Sequence, residues 1–184
     1  YKYFNIHVNK IINLIDNFNK KIIRLAITLP SKLDTLATLI ACNRRGVIPV
    51  MIPSENCQIK GADYLGISKA DYTLNKYNCI IQENDDSVDF KYNYSRDDVQ
   101  CVLFTSGTEK EPKAVELTFD NIYYSAKNWS DVLDFHKEES YLNVLPIHHI
   151  AGLSIFFRSI YYDFTSIFED YEKSMLAGCI VKYK

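Results

Sequence analysis

The chain has 184 residues, 47% hydrophobic and 24% charged, which suits one ordinary domain with its own core and is too short for two comfortable ones. Lys plus Arg number 21 against 23 Asp plus Glu, for a formal charge of -2. That balance excludes attachment to nucleic acid or an anionic membrane by bulk charge. No apolar run approaches a membrane span and no signal-peptide pattern opens the chain, whose first residue is Tyr1 rather than Met, as expected of a trimmed start.

In chain order, Ile11, Ile12, Leu14, Ile15 and Phe18 predict one helical face. Residues 22–29 are β-rich and end at Pro30. Ser31 then predicts an N-cap, with Asp34 three residues on and Leu33, Leu36, Leu39 and Ile40 as the apolar stripe. Gly46 stops that helix and 47–52 is the next strand, a β-α-β unit that implies a parallel sheet covered by helices. Short strands are expected at 70–74 and 79–82, and a polar, acidic loop over 83–98. Residues 99–104 predict a buried strand, 105–113 a loop, 114–117 a brief strand, and Thr118 the cap of a helix over 119–133. A strand over 141–145, a helix after His149, a strand over 165–168 and a helix over 171–183 complete an α/β pattern without an internal domain boundary.

The five cysteines, Cys42, Cys57, Cys79, Cys101 and Cys179, are odd in number and scattered, with no C-x-x-C pair. That pattern argues against a zinc ribbon or a disulfide framework and predicts reduced, mostly buried thiols in a cytoplasmic protein.

Two stretches carry candidate chemistry. In the first, a buried strand runs into Thr105, Ser106, Gly107 and Thr108, followed by Lys110, Pro112 and Lys113. Hydroxyls and free backbone N–H groups can wrap phosphate oxygens, glycine permits close approach, and Lys113 can neutralise charge. No Gly-Lys-Ser/Thr follows, so this is not a Walker A loop, and a solvated Ser/Thr-rich turn is the plainer alternative. In the second, His148 and His149 follow Leu145, Pro146 and Ile147 at a strand-to-helix junction, where ligand sites of α/β folds gather. Adjacent histidines are expected to point in different directions, so no metal site is predicted, and a satisfied structural histidine is the default reading of either ring.

Taken together, these stretches resemble the acyl-adenylate-forming family of acyl- and aryl-CoA ligases, luciferases and peptide-synthetase adenylation domains. The family's Thr-Ser-Gly-Thr-Thr-Gly-x-Pro-Lys-Gly motif is matched by Thr105, Ser106, Gly107, Thr108, Pro112 and Lys113, and its Pro-Leu-Phe-His-x-x-Gly motif by Pro146, His149 and Gly152. Upstream, residues 36–42, Gly46, Pro49 and Val50 are similar to the family's early helix and the strand after it. Within the family, Pro112, Lys113, Ala114, Val115, Thr118, Phe119 and Asn121, with the run from Leu145 to Ser154 and Arg158, are similar to the o-succinylbenzoate–CoA ligases of menaquinone synthesis.

The resemblance implies a mostly parallel sheet flanked by helices, part of a large N-terminal AMP-binding domain. It also implies ATP, Mg2+ and coenzyme A as cofactors and a small carboxylic acid as substrate, with no nucleic-acid or membrane partner; homo-oligomerisation stays open. Thr105, Ser106, Gly107, Thr108 and Lys113 would hold ATP phosphates, His149 would sit near the attacking carboxylate, and His149, Gly152 and Arg158 would meet the acyl substrate. Arg158 is the candidate for a second substrate carboxylate, against the alternative of a surface arginine on a helix. Glu109 and Lys110 depart from the motif's second Thr and Gly, and Ala114 from its last glycine. Complete family members are more than twice as long, so residues 1–184 are expected to be an N-terminal portion, inactive alone. The adenine and ribose segments, a magnesium-binding acid and the catalytic lysine would then lie beyond Lys184. A non-catalytic nucleotide-binding relative and a partner-binding α/β module are the alternatives.

Overall fold

Alternation of β-branched runs with capped helical stretches builds a five-stranded sheet in the computed structural model, which describes residues 2–53, 63–75, 93–105, 112–134, 138–174 and 176–183. The predicted strand at 79–82, most of the acidic stretch, Cys57, Cys79 and the loop residues 106–111 lie outside the described residues.

Helix α1 (Lys2–Asp16) buries Val8, Ile11, Ile12 and Ile15, a stripe at helical spacing. Leu14, expected on that face, is 38% exposed, and Phe18 lies beyond the helix with its ring 4.6 Å from that of Tyr72. The stripe begins a turn earlier than the sequence pattern indicated, because polar neighbours obscure Val8. Strand β1 (Arg24–Ile27) leads to α2 (Lys32–Arg44), and Ser31 caps α2 as predicted, its Oγ accepting a hydrogen bond from the Asp34 N–H at 3.2 Å. Leu33 corrects the predicted stripe, being 51% exposed, whereas every residue from Thr35 to Leu39 is buried. Helix α2 is packed between α1 and the strands, and Thr35 and Thr38 enter that dry environment by donating to the Ser31 and Asp34 carbonyls at 2.9 and 2.8 Å. A bidentate Arg45–Asp16 pair, with contacts of 2.8 and 3.0 Å, ties α2 to the end of α1.

Gly46 takes a left-handed φ of 66°, which ends α2 and turns the chain into β2 (Ile48–Met51). A short helix α3 (Tyr64–Ser68), absent from the sequence pattern because five residues show no period, is capped by Asp63, whose Oδ1 accepts from the Gly66 N–H at 2.8 Å. Strands β3 (Tyr72–Leu74), β4 (Val99–Thr105) and β5 (Lys113–Thr118) complete the sheet in the order β3-β1-β2-β4-β5. Pairings β1–β3, β1–β2 and β2–β4 are parallel, and β4–β5 is antiparallel. Ala26, Val50, Ile52, Val102 and Phe104 form a buried cluster, with Tyr64 of α3 edge-on to Phe104 at 4.8 Å. Leu25, Ile27, Met51, Cys101 and Leu103, of opposite parity, are equally buried, so both faces of the sheet are covered.

The chain divides by its contacts at Thr118, and residues from Phe119 onward form a second compact unit. Helix α4 (Phe119–Lys127) is shorter than predicted and passes into a 3-10 turn over Asn128–Asp131. Strands β6 (Ser140–Asn143) and β7 (Thr165–Phe168) pair in parallel, joined by α5 (Ile150–Tyr162), which begins directly after His149 as expected. Helix α6 (Leu176–Lys182) starts five residues later than predicted and buries none of its side chains. The described cysteines, Cys42, Cys101 and Cys179, are free; burial pushes the thiols of Cys42 and Cys101 up, so both stay protonated and inert. No helix among the described residues is long and apolar enough to cross a membrane.

Candidate functional site

In the first unit, four parallel strands place their carboxyl ends along one edge of the sheet, the usual side for ligands in open α/β folds. Strand β4 leaves the core at this edge. Its residues 100–104 are buried, Thr105 is exposed, and the chain returns antiparallel so that Lys113 stands directly opposite Thr105. The next pair inward, Phe104 and Ala114, packs with the core cluster. By strand alternation Thr105 and Lys113 therefore project together from the other face, at the base of the hydroxyl loop. A hydroxyl and an ammonium side by side at a loop base can share an anion's charge and hydrogen bonding. Ser106, Gly107, Thr108, Glu109 and Lys110 lie outside the described residues.

In the second unit, the histidines sit in a turn. His149 is the residue before α5, with an extended backbone (φ −108°, ψ 147°), and its exposed ring makes no capping bond. The two imidazoles lie 4.4 Å apart, tilted by 58°, which corrects the expectation that they diverge: strand alternation does not apply in a turn. Among the described residues no three His, Cys, Asp or Glu side chains converge as a metal site.

The turn is held from both sides. Asn143, fully buried at the end of β6, donates from Nδ2 to the Gly152 carbonyl at 2.8 Å and accepts at Oδ1 from the Leu145 N–H at 3.1 Å. Gly152 is needed because the turn crosses α5 at backbone distance: a Cβ there would lie 2.4 Å from the Pro146 carbonyl oxygen. Sequence reasoning missed Asn143; its only local signal is a polar residue closing a strand just before the Leu-Pro turn.

Arg158 lies nine residues beyond His149, about 13 Å of helical rise and half a turn of rotation away, so the two do not share the turn. It is not a plain surface arginine. Its guanidinium lies over the ring of Trp129, 3.9 Å from the centroid, and its Nε is buried without a hydrogen-bond partner among the described residues. Burial draws the Arg158 pKa below its ordinary value, while Tyr141 and Tyr162 act the other way.

Burial, with the charge of His149 second, lowers His148 from 6.5 to about 4. The unfolded chain therefore takes a proton at His148 that the folded turn refuses until about pH 4. This group's share of stability is complete above pH 6.5 and is lost as pH falls toward 4. In acid denaturation followed by circular dichroism, His148→Gln should flatten the loss of stability across that window; an unchanged slope would mean that His148 is solvated.

The family of AMP-binding enzymes matches residues 67–184. A 2-succinylbenzoate–CoA ligase of Staphylococcus aureus (strain JH9) is 43% identical over 72 residues, a stretch covering 39% of this chain and 15% of that relative. In the fold comparison, o-succinylbenzoate CoA synthetase (MenE) from Bacillus subtilis, in complex with the acyl-adenylate intermediate OSB-AMP, superimposes with a TM-score of 0.82 at 23% identity, covering 98% of this chain and 41% of MenE. The same enzyme in complex with ATP and magnesium ion gives 0.79 at 22%, covering 99% and 53%. The chain thus spans only part of the relatives it matches, and the structural likenesses establish the α/β fold with its mostly parallel sheet, as the sequence implied.

Proposed function

The chain belongs to the AMP-binding enzyme family, and from that premise we propose that residues 1–184 are the N-terminal portion of the AMP-binding domain of an ATP-dependent acid–thiol ligase acting on o-succinylbenzoate. A substrate carboxylate attacks the α-phosphorus of ATP, releasing pyrophosphate, and the thiol of coenzyme A then displaces AMP to leave a thioester. The first step is largely positioning and charge stabilisation, which suits a hydroxyl-lined loop with a cation at its base. In this reading Thr105, Ser106, Gly107 and Thr108 hold the outer phosphates, and Lys113 supports their charge. His149 and Gly152 form the turn beside the attacking carboxylate, and Arg158 pairs a second carboxylate of the acid. Magnesium would share the phosphate charge; its ligands are not assigned among the described residues, which converge in no acidic cluster. The free thiols of the described cysteines, buried at Cys42 and Cys101, support a cytoplasmic setting.

One observation carries the substrate assignment: the 72-residue stretch shared with a 2-succinylbenzoate–CoA ligase, at an identity well above that of the fold neighbours. Acid-dependent ATP–pyrophosphate exchange on the longest native form of the chain tests it, with o-succinylbenzoate beside benzoate, acetate and a medium-chain fatty acid. Exchange with o-succinylbenzoate alone is the expected result, and exchange with another acid alone would reassign the substrate. Nucleotide binding without exchange for any acid would favour a substrate outside this panel, and no nucleotide binding would favour a loop that has lost its chemistry, the reading to which Glu109 and Lys110 lend weight.

A further inference from the structure

The chain holds a single tryptophan, and its ring lies under the guanidinium assigned above to the acid's second carboxylate. Trp129 belongs to the 3-10 turn that follows α4, and Arg158 to the third turn of α5, 29 positions later. The contact between them is built. Tyr162, one helical turn beyond Arg158, places its hydroxyl 3.0 Å from both the Ala126 and the Lys127 carbonyl oxygens, the last carbonyls before the Trp129 turn. The same helix face therefore fixes the backbone that carries the indole and the guanidinium that rests on it. An arginine stacked by its flat face keeps its edge N–H groups in one plane and loses little freedom when a carboxylate arrives. The Arg158 Nε is a buried donor for which the described residues supply no acceptor.

We propose that Trp129 is a specificity-determining positioning residue: by stacking under Arg158 it holds the guanidinium edge-on for the second carboxylate of a two-carboxylate acid. This rests on the reading of Arg158 given above. Trp129 touches no substrate; it acts through Arg158, so its removal weakens acids that carry the carboxylate Arg158 pairs and spares those that lack it.

Calorimetric binding to the longest native form tests this, using o-succinylbenzoate and two analogues that each lack one carboxylate, 4-oxo-4-phenylbutanoate and 2-butanoylbenzoate. Trp129→Ala should weaken o-succinylbenzoate and one analogue about tenfold and leave the other analogue within about twofold. Trp129→Phe, which keeps a ring face, should recover most of the loss. Arg158→Ala should weaken the same two ligands, and adding Trp129→Ala to it should change nothing further. Equal weakening of all three ligands, or a Trp129 loss that adds to that of Arg158→Ala, would overturn the inference and leave Trp129 as packing. If Arg158→Ala leaves all three affinities unchanged, the Arg158 assignment fails and the inference with it. Pyrophosphate exchange with wild-type protein judges the ligase reading separately, and thermal unfolding of each variant shows whether it is folded.

Discussion

Lys113→Ala should slow acid-dependent ATP–pyrophosphate exchange by about a hundredfold to a thousandfold, the usual scale for removing one group that stabilises transition-state charge. The same change should move the melting temperature by only about 1–2 °C. The asymmetry follows from position. Lys113 is the exposed first residue of β5, and its partner across the ladder, Thr105, is equally exposed, while the packing is done by the next pair inward, Phe104 and Ala114. Lys113→Arg, which keeps the charge with a different shape, should recover part of the rate. Exchange kinetics and differential scanning calorimetry on the same preparations decide the matter: parallel loss of activity and stability would make Lys113 a structural residue and sink the phosphate-loop assignment.

Gly152→Ala should cost about 3 kcal/mol of stability and most of the activity, although helix propensity alone favours alanine by up to about 1 kcal/mol. An added Cβ would meet the Pro146 carbonyl oxygen at 2.4 Å, its carbon at 2.8 Å and the Leu145 carbonyl oxygen at 3.0 Å. All three are backbone atoms, so no side-chain rotation relieves the clash. Either the turn lifts away from α5, carrying His149 with it and breaking the Asn143 bonds, or the helix shifts. Gly178 is the internal control: it lies in α6 with nothing within 4 Å of its Cβ position, so Gly178→Ala should be neutral or slightly stabilising. Urea unfolding of both variants gives the comparison, and a Gly152→Ala protein as stable as the parent would mean that the turn does not cross the helix as described.

Much of the architecture was legible because it depends on signals a few residues long. The apolar runs of β1, β2 and β4, Ser31 before α2, Gly46 after it, and the start of α5 at His149 are all local, and each is found where the pattern put it. Errors came where burial on more than one side overrides a stripe. Leu33 is exposed while Thr35 and Thr38 are buried, since α2 is enclosed by α1 and the strands and its threonines satisfy their hydroxyls on the helix itself. Helix α3 was missed because a single turn, defined by an Asp63 cap and a left-handed Lys69, has no periodicity to read.

The candidate site divides in the same way. Its residue types, order and spacing, from Thr105 to Lys113 and from Pro146 to Gly152, belong to the sequence alone, because loops that handle phosphate and backbone turns that need a glycine are specified by contiguous residues. Tertiary structure alone decided three things: that Lys113 stands opposite Thr105, that Asn143 binds the two sides of the histidine turn, and that Arg158 rests on Trp129. Each joins residues whose meeting depends on strand register or helix packing, which arise from burying many side chains at once and leave no mark on the residues between.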